Sequence, residues 1–257
     1  MNEQENTNKQ HAAELKLHGL IAHWQALTDE QHTLLSQWLL WELAERKQRS
    51  LERRLSSAKL GRFKPLTEFD WQWPSRIDQP AVQRLMQLDF LTEASNIIIL
   101  GSNGVGKSTI AQNLGYKAVM QGHTVLFTTA ANMLNDLASQ DGDNALRRRL
   151  TCYAKPKLLI IDEVGYLSYS NRHADLLFEI INRRYEKNAT IVTTNRPFSE
   201  WNEVFPNAAC VVSLIDRLVH HSEVLAIEGE SYRMKEAQEQ DANRRKPKAE
   251  NIKGKSQ

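Results

Sequence analysis

Residues 96–110 read NIIILGSNGVGKSTI, and this run restricts the possible folds more than any other stretch. Ile97-Ile98-Ile99-Leu100 is short, apolar and β-branched, the pattern of a buried strand in a parallel sheet. Gly101-Ser102-Asn103-Gly104-Val105-Gly106-Lys107-Ser108 follows without a gap and fits G-x-x-x-x-G-K-[ST]. Glycines at these positions let backbone N–H groups turn inward around phosphate oxygens, a wrap that β-carbons would obstruct. Lys107 can reach the β- and γ-phosphates, and the Ser108 hydroxyl can ligate Mg²⁺. From Thr109 the chain reads as a helix to residue 120, its positive N-terminus aimed at the same anion. A chance match in a glycine-containing turn would lack the strand before and the helix after. The run therefore implies a nucleoside triphosphate held by residues 101–109.

A second motif specifies the chemistry. Residues 157–161 read as another apolar strand, followed by Asp162-Glu163. An apolar strand ending in two acids, downstream of such a loop, fits the Walker B pattern. Asp162 would hold Mg²⁺, and Glu163 would polarise the attacking water as general base. The second acid argues for hydrolysis rather than nucleotide binding alone.

The chain has 257 residues, enough for one large domain or a nucleotide domain with a smaller companion. Net charge is only +2, so the distribution of charge says more than its sum. Cys152 and Cys210 form no C-x-x-C pair and suggest neither a disulfide framework nor a cysteine zinc site. No apolar run approaches the ~20 residues of a membrane span. The opening MNEQENTNKQ lacks the apolar core of a signal peptide, so a cytoplasmic location is expected.

Taken in order, residues 1–11 are polar and are expected to be disordered. Leu15, Leu17, Leu20, Ile21, Trp24 and Leu27 recur at helical spacing, interrupted by Gly19. Thr28 and Gln31 resemble a capping box opening a helix over 29–59, with Leu35, Trp38, Leu39, Leu43, Leu51 and Leu55 on one side. Its second half and the next turn carry Arg46, Lys47, Arg49, Arg53, Arg54, Lys59, Arg62 and Lys64 against Glu52. Such a strip is either a solvated face or a phosphate-contacting surface. Residues 66–89 form a connector with Trp71 and Trp73, read as core anchors or as stacking platforms.

Strands are expected at 123–128, 190–194 and 223–227, and helices at 130–137, 175–185 and 213–220. Arg147-Arg148-Arg149 cannot all face one partner from a helix, so some point to solvent or a ligand. Asn195 stands just past a strand, where the carboxyl edge of a parallel sheet places ligand contacts; capping of the strand is the alternative. Beyond Tyr232 the chain turns charged and weakly hydrophobic, the composition of a disordered basic tail.

Longer strings carry a family resemblance. KLHGLIAHW, FTTAANMLNDL, LLIIDEVGYLSYSNRHADLLFEIINRRYE, TNRPFSEW and LIDRLVHHSEVLAIEGESYR together resemble the IstB family, the ATPase helpers of insertion-sequence transposases. That family belongs to the AAA+ class and is similar to bacterial helicase loaders of the DnaC type. The resemblance covers residues 15–233. It implies ATP and Mg²⁺ as cofactors, a homo-oligomer assembled with ATP on double-stranded DNA, deformation of that DNA, and a partner transposase. Lys107 and Ser108 fall on its Walker A positions, Asp162 and Glu163 on Walker B, and Asn195 on the sensor-1 asparagine. Arg217 falls in the region of its arginine finger. The loop reads GSNGVGKS where relatives often have GPPG and Lys-Thr, which keeps the hydroxyl ligand. Only a short tail follows the last strand, so no helical lid domain and no sensor-2 arginine are expected.

These readings combine into an αβα sandwich with a five-stranded parallel sheet behind a small all-helical N-terminal domain. The expected divisions are 1–11, 12–64, 65–90 (connector), 91–233 (ATPase domain) and 234–257 (basic tail). The function they imply is an ATP-hydrolysing, DNA-binding assembly factor for transposition, active in the bacterial cytoplasm. Arg147, Arg148 and Arg149, with Arg53, Arg54 and Lys59 on the N-terminal strip, are the candidate DNA contacts. A helicase loader would share every nucleotide residue; a small-molecule kinase fits Asp162-Glu163 and an in-trans arginine less well.

Overall fold

A computed structural model describes residues 3–166, 169–205 and 209–245. Two compact units divide the chain, Met1–Ser56 and Ser57–Gln257.

The first unit is helical: α1 (Glu3–Glu14), α2 (His18–Ala22) and most of α3 (Asp29–Ala58). Ala12, Leu15, Trp24, Leu39 and Leu43 form its buried core, with Leu20, Ile21, Leu27 and Leu35 packed against them. The capping box at the start of α3 is present, Thr28 N donating to Gln31 Oε1 (2.9 Å) and Gln31 N to Thr28 Oγ1 (3.4 Å). Two expectations are corrected here. Residues 3–11 are helical, not disordered, because their polar groups find partners: Asn8 donates to Ser36 Oγ, and Glu5 accepts from Trp24 Nε1 at 3.2 Å. Trp38 is not on the packed side of α3; it and Trp41 are exposed. The basic strip is partly neutralised by acids one turn earlier, Arg46 pairing with Glu42 and Arg49 with Glu45.

The second unit opens with β1 (Arg76–Ile77), α4 (Gln79–Leu85) and α5 (Asp89–Glu93). A regular alternation follows: β2 (Asn96–Gly101), α6 (Lys107–Met120), β3 (Val125–Thr129), α7 (Ala130–Ala138), α8 (Asp143–Ala154), β4 (Leu158–Val164), α9 (Asn171–Arg184) and β5 (Ala189–Thr194). The short α10 (Trp201–Val204), then α11 (Val211–His220), β6 (Ser222–Glu228) and α12 (Tyr232–Arg245) complete it. The sheet order is β1-β6-β2-β5-β4-β3. The five expected strands are mutually parallel, and β1 adds a two-residue antiparallel edge against β6, giving six. So short a strand leaves no periodicity in the sequence to read.

Strand alternation sorts the core into two layers. Ile98, Leu159, Ile161 and Val192 share one buried cluster with side chains of α7, α9 and α11. The alternate residues face α6: a Cβ on Gly115 of α6 would stand 2.7 Å from Ile160 Cδ1. Helices therefore cover both faces, as a parallel sheet requires. On α6, Asn113 accepts from Leu66 N (2.9 Å) and donates to Lys64 O (2.9 Å), which pins the connector beside the phosphate loop.

Candidate nucleotide site

The parallel topology sends the ends of β2, β4 and β5 to one edge of the sheet, the edge at which open α/β sheets bind ligands. The loop after β2 makes the cradle. Gly104 and Gly106 have φ of 80° and 103°, a left-handed backbone that glycine alone adopts at little cost. Crowding adds a second reason for them. A Cβ at Gly104 would stand 2.2 Å from Ser231 Oγ, and one at Gly106 2.5 Å from Phe69 Cε2.

Lys107 begins α6 and is almost fully buried. Its ammonium donates to Gly101 O (2.8 Å) and Ser102 O (2.7 Å). Burial pushes its pKa down; Asp162 and Glu163 pull it back up, and Arg233 pushes it further down. Ser108 Oγ lies 2.9 Å from both oxygens of Asp162, which is buried. Thr193 of β5 also donates to Asp162 Oδ1. A hydroxyl and a carboxylate in contact are hard oxygen donors of the kind Mg²⁺ takes alongside water and phosphate oxygens. The residues present fit that ion.

Asp162 and Glu163 lie within β4, not after it as the sequence suggests. The β4–β5 register shifts between Ile161 and Val164, and Glu163 takes φ of 62°. Such a bulge re-aims a side chain. Asp162 turns into the sheet while Glu163 stays exposed, its N–H held by Thr193 Oγ1 at 2.9 Å. Glu163 and Asn195 both line the cavity over the loop, whose volume is about 300 Å³.

The other wall of this cavity comes from segments far away in sequence: Phe69, Asp70 and Trp73 of the connector, with Tyr232, Arg233 and Glu236 of α12. They are tied to each other and to the loop. Trp73 Nε1 donates to Glu230 O (2.9 Å), Lys235 pairs with Asp70 (3.0 Å) above the Trp73 ring, and Tyr232 N donates to Gly104 O (3.0 Å). The supposed disordered tail is thus helical through residue 245, because its first turn docks on the phosphate loop; the rest of the tail lies outside the described residues. Sequence reasoning missed Thr193, Arg233 and these walls.

Arg217 does not line the cavity. It sits on α11 with its guanidinium 4.6 Å from the Phe178 ring centroid, and its Nη1 is buried without a hydrogen-bond partner. The three arginines of α8 separate. Arg149 pairs with Asp136, which also accepts from Tyr153 OH (2.5 Å); burial, with that bond, pushes the phenol up to about 12. Arg147 and Arg148 are exposed. Among the described residues no helix is long and apolar enough to cross a membrane.

Comparison with known proteins agrees with this geometry. The family model of IstB-like ATP binding proteins matches residues 10–240. The chain belongs to that family. It is 38% identical over 229 residues to a Pseudomonas aeruginosa protein named for ATP binding and insertion sequence IS21, covering 86% of each chain. An IS5376 counterpart from Geobacillus stearothermophilus is 33% identical, covering 86% of this chain and 91% of its own. Among solved structures, DnaI superposes with a TM-score of 0.55 at 16% identity, over 67% of this chain and 92% of that one. A DNA replication initiation factor gives 0.51 at 22%, over 64% and 49%. The relatives place the chain in an IstB-like ATP-binding family, and the solved structures share the fold of its α/β unit.

The crowding at the loop generates a prediction. Gly106→Ala should lower affinity for an ATP analogue at least about tenfold, or about 1.4 kcal/mol, read by calorimetry. Gly122 has a similar φ of 95° with nothing within 4 Å of an added Cβ, so Gly122→Ala should leave that affinity unchanged.

Proposed function

We propose that this chain is an ATP-hydrolysing helper of transposition that assembles on duplex DNA and engages a partner transposase. The observation that carries the reading is the convergence of Lys107, Ser108, Asp162 and Glu163 beside one cavity. In this reading residues 101–109 wrap the phosphates and Lys107 leaves its loop carbonyls for phosphate oxygens. Ser108 and Asp162 would hold Mg²⁺, which when bound neutralises charge on the transferring phosphoryl group. Glu163 accepts a proton from water, and Asn195 orients that water or the γ-phosphate. Arg233 supplies a further cation beside the phosphates. The insertion-sequence names of the relatives favour transposition over helicase loading.

Glu163→Gln should keep ATP affinity while slowing phosphate release at least ~100-fold, within the usual cost of losing a general base. Equal ATPase rates for variant and parent would remove Glu163 from that role.

Arg217 is proposed to act on the nucleotide of a neighbouring subunit, where a guanidinium stabilises transition-state charge and couples hydrolysis to assembly. Mixing Arg217→Ala with Lys107→Ala subunits should restore part of the ATPase activity that each lacks alone. Mixed oligomers that form but show no recovery at any ratio would refute the in-trans role.

DNA contact is assigned to Arg147 and Arg148, since Arg149 is committed to Asp136. Repeated in each subunit of an assembly, two exposed guanidiniums per chain add up along a duplex. Replacing both by Ala should abolish ATP-dependent duplex binding and flatten its salt dependence, with ATP binding intact. If binding instead survives and fails only on replacing Arg53 and Arg54, the N-terminal strip is the DNA surface.

A further inference from the structure

At the amino edge of the sheet, opposite the phosphate loop, the turn after α9 and the end of α11 bring a carboxylate and two imidazoles together. Glu186 follows α9 with φ of 56°, His220 is the last residue of α11, and His221 is its C-cap. One ligand atom from each lies within 4.8 Å of those of the other two, and all three residues are exposed. His221 Nε2 is 3.6 Å from Glu186 Oε1, and the imidazole centroids are 4.0 Å apart. An exposed contact at that distance stabilises little, and it does not account for the second imidazole.

Two further observations point to a cation. Tyr185 OH lies 2.6 Å from His220 Nδ1, with the two rings stacked. When Nδ1–H donates to the phenol oxygen, Nε2 carries the lone pair, which is how a metal-ligating imidazole is oriented through its other nitrogen. The cluster also stands at the C-terminus of a ten-residue helix, whose unpaired carbonyls favour positive charge. The backbone beneath is held in place. His221 O accepts from Asn96 N at 2.7 Å, and Lys187 N and Asn188 N both donate to Arg184 O.

We propose that Glu186, His220 and His221 bind a divalent transition-metal ion of the zinc type. Two neutral imidazoles and a carboxylate suit Zn²⁺ and its neighbours, whereas Mg²⁺ and Ca²⁺ take oxygen donors. Bonds of about 2.0–2.2 Å in a tetrahedron separate ligand atoms by ~3.4 Å. The trio must therefore draw in from its present spread, a movement open to exposed side chains. Water completes the fourth position. The ion cross-links the α9–β5 turn to the α11–β6 turn and fixes the end of the helix that carries Arg217. None of the three residues lines the nucleotide cavity, so the site is independent of it.

The test is a Co²⁺ titration of the full-length chain, stripped with chelator and free of nucleotide, followed by visible absorption. One saturable equivalent is expected, displaced by Zn²⁺. Glu186→Gln and His221→Ala should each weaken it at least tenfold, and Tyr185→Phe ten- to a hundredfold. His220→Ala/His221→Ala should remove it while ATP binding persists. A parent with no saturable spectrum, or a double variant that keeps it, overturns the site. If the double variant loses ATP binding through misfolding, Glu186→Gln decides alone, and unchanged Co²⁺ affinity there overturns the proposal.

Discussion

The nucleotide edge is organised around the buried carboxylate of Asp162. A charge taken out of water costs several kcal/mol unless neighbours replace its hydration. Here the hydroxyls of Ser108 and Thr193 both bond it, and Thr193 also accepts from Glu163 N. This arrangement depends on the strand order: β5 lies between β2 and β4, so a residue of β5 can bridge the motif that follows β2 and the acid carried by β4. One threonine hydroxyl therefore secures Asp162 and shapes the bulge that leaves Glu163 facing out. The two acids are adjacent in sequence, yet they receive opposite environments and are suited to different tasks.

Much of this was legible in the sequence, for a physical reason. Strands β2, β4 and β5 are buried on both faces and read as apolar runs, and the phosphate loop has a spacing imposed by the shape of its ligand. Thr193 was not legible, because inside ATIVTT a threonine is an ordinary strand residue until its neighbour across the sheet is known. Nor was the far wall of the cavity, where Trp73 meets Glu230 and Asp70 meets Lys235. Segments 69–74 and 230–236 show no shared periodicity. They come together because β1 and β6 pair at the sheet edge and deliver both to the loop. The polar helix α1 escaped for a related reason: apart from Ala12, which joins the core, its first turns are held by polar partners such as Ser36 and Trp24.

Charge runs were the least decodable feature, since a basic residue in sequence does not reveal its partner. Arg46 and Arg49 meet acids one turn back, and Arg149 meets Asp136 from a different helix. Arg184 shows the extreme case. It is fully buried, and among the described residues no carboxylate pairs with its guanidinium, which donates instead to Tyr153 O, Ala154 O and Pro156 O and to Thr190 Oγ1. That cation ties the end of α8 to the start of β5 and is structural.

Arg217 differs from all of these. Its stacking on Phe178 leaves Nη1 buried and unpaired, and an unmet buried donor costs about 1–3 kcal/mol. Other arginines in this unit found acceptors within it, whereas this one is held at a cost on an amphipathic helix. Leu214 and Leu218 of that helix are buried, while Val212 and Val219 stay exposed. Under the proposed assembly, an arginine whose Nη1 lacks a partner within its own chain, on a helix with exposed apolar side chains, would lie at a surface completed by another subunit. An acceptor arriving there would let the guanidinium lift from Phe178 and satisfy the idle donor. Assembly would then be favoured by the same group that would act on the neighbour's phosphates.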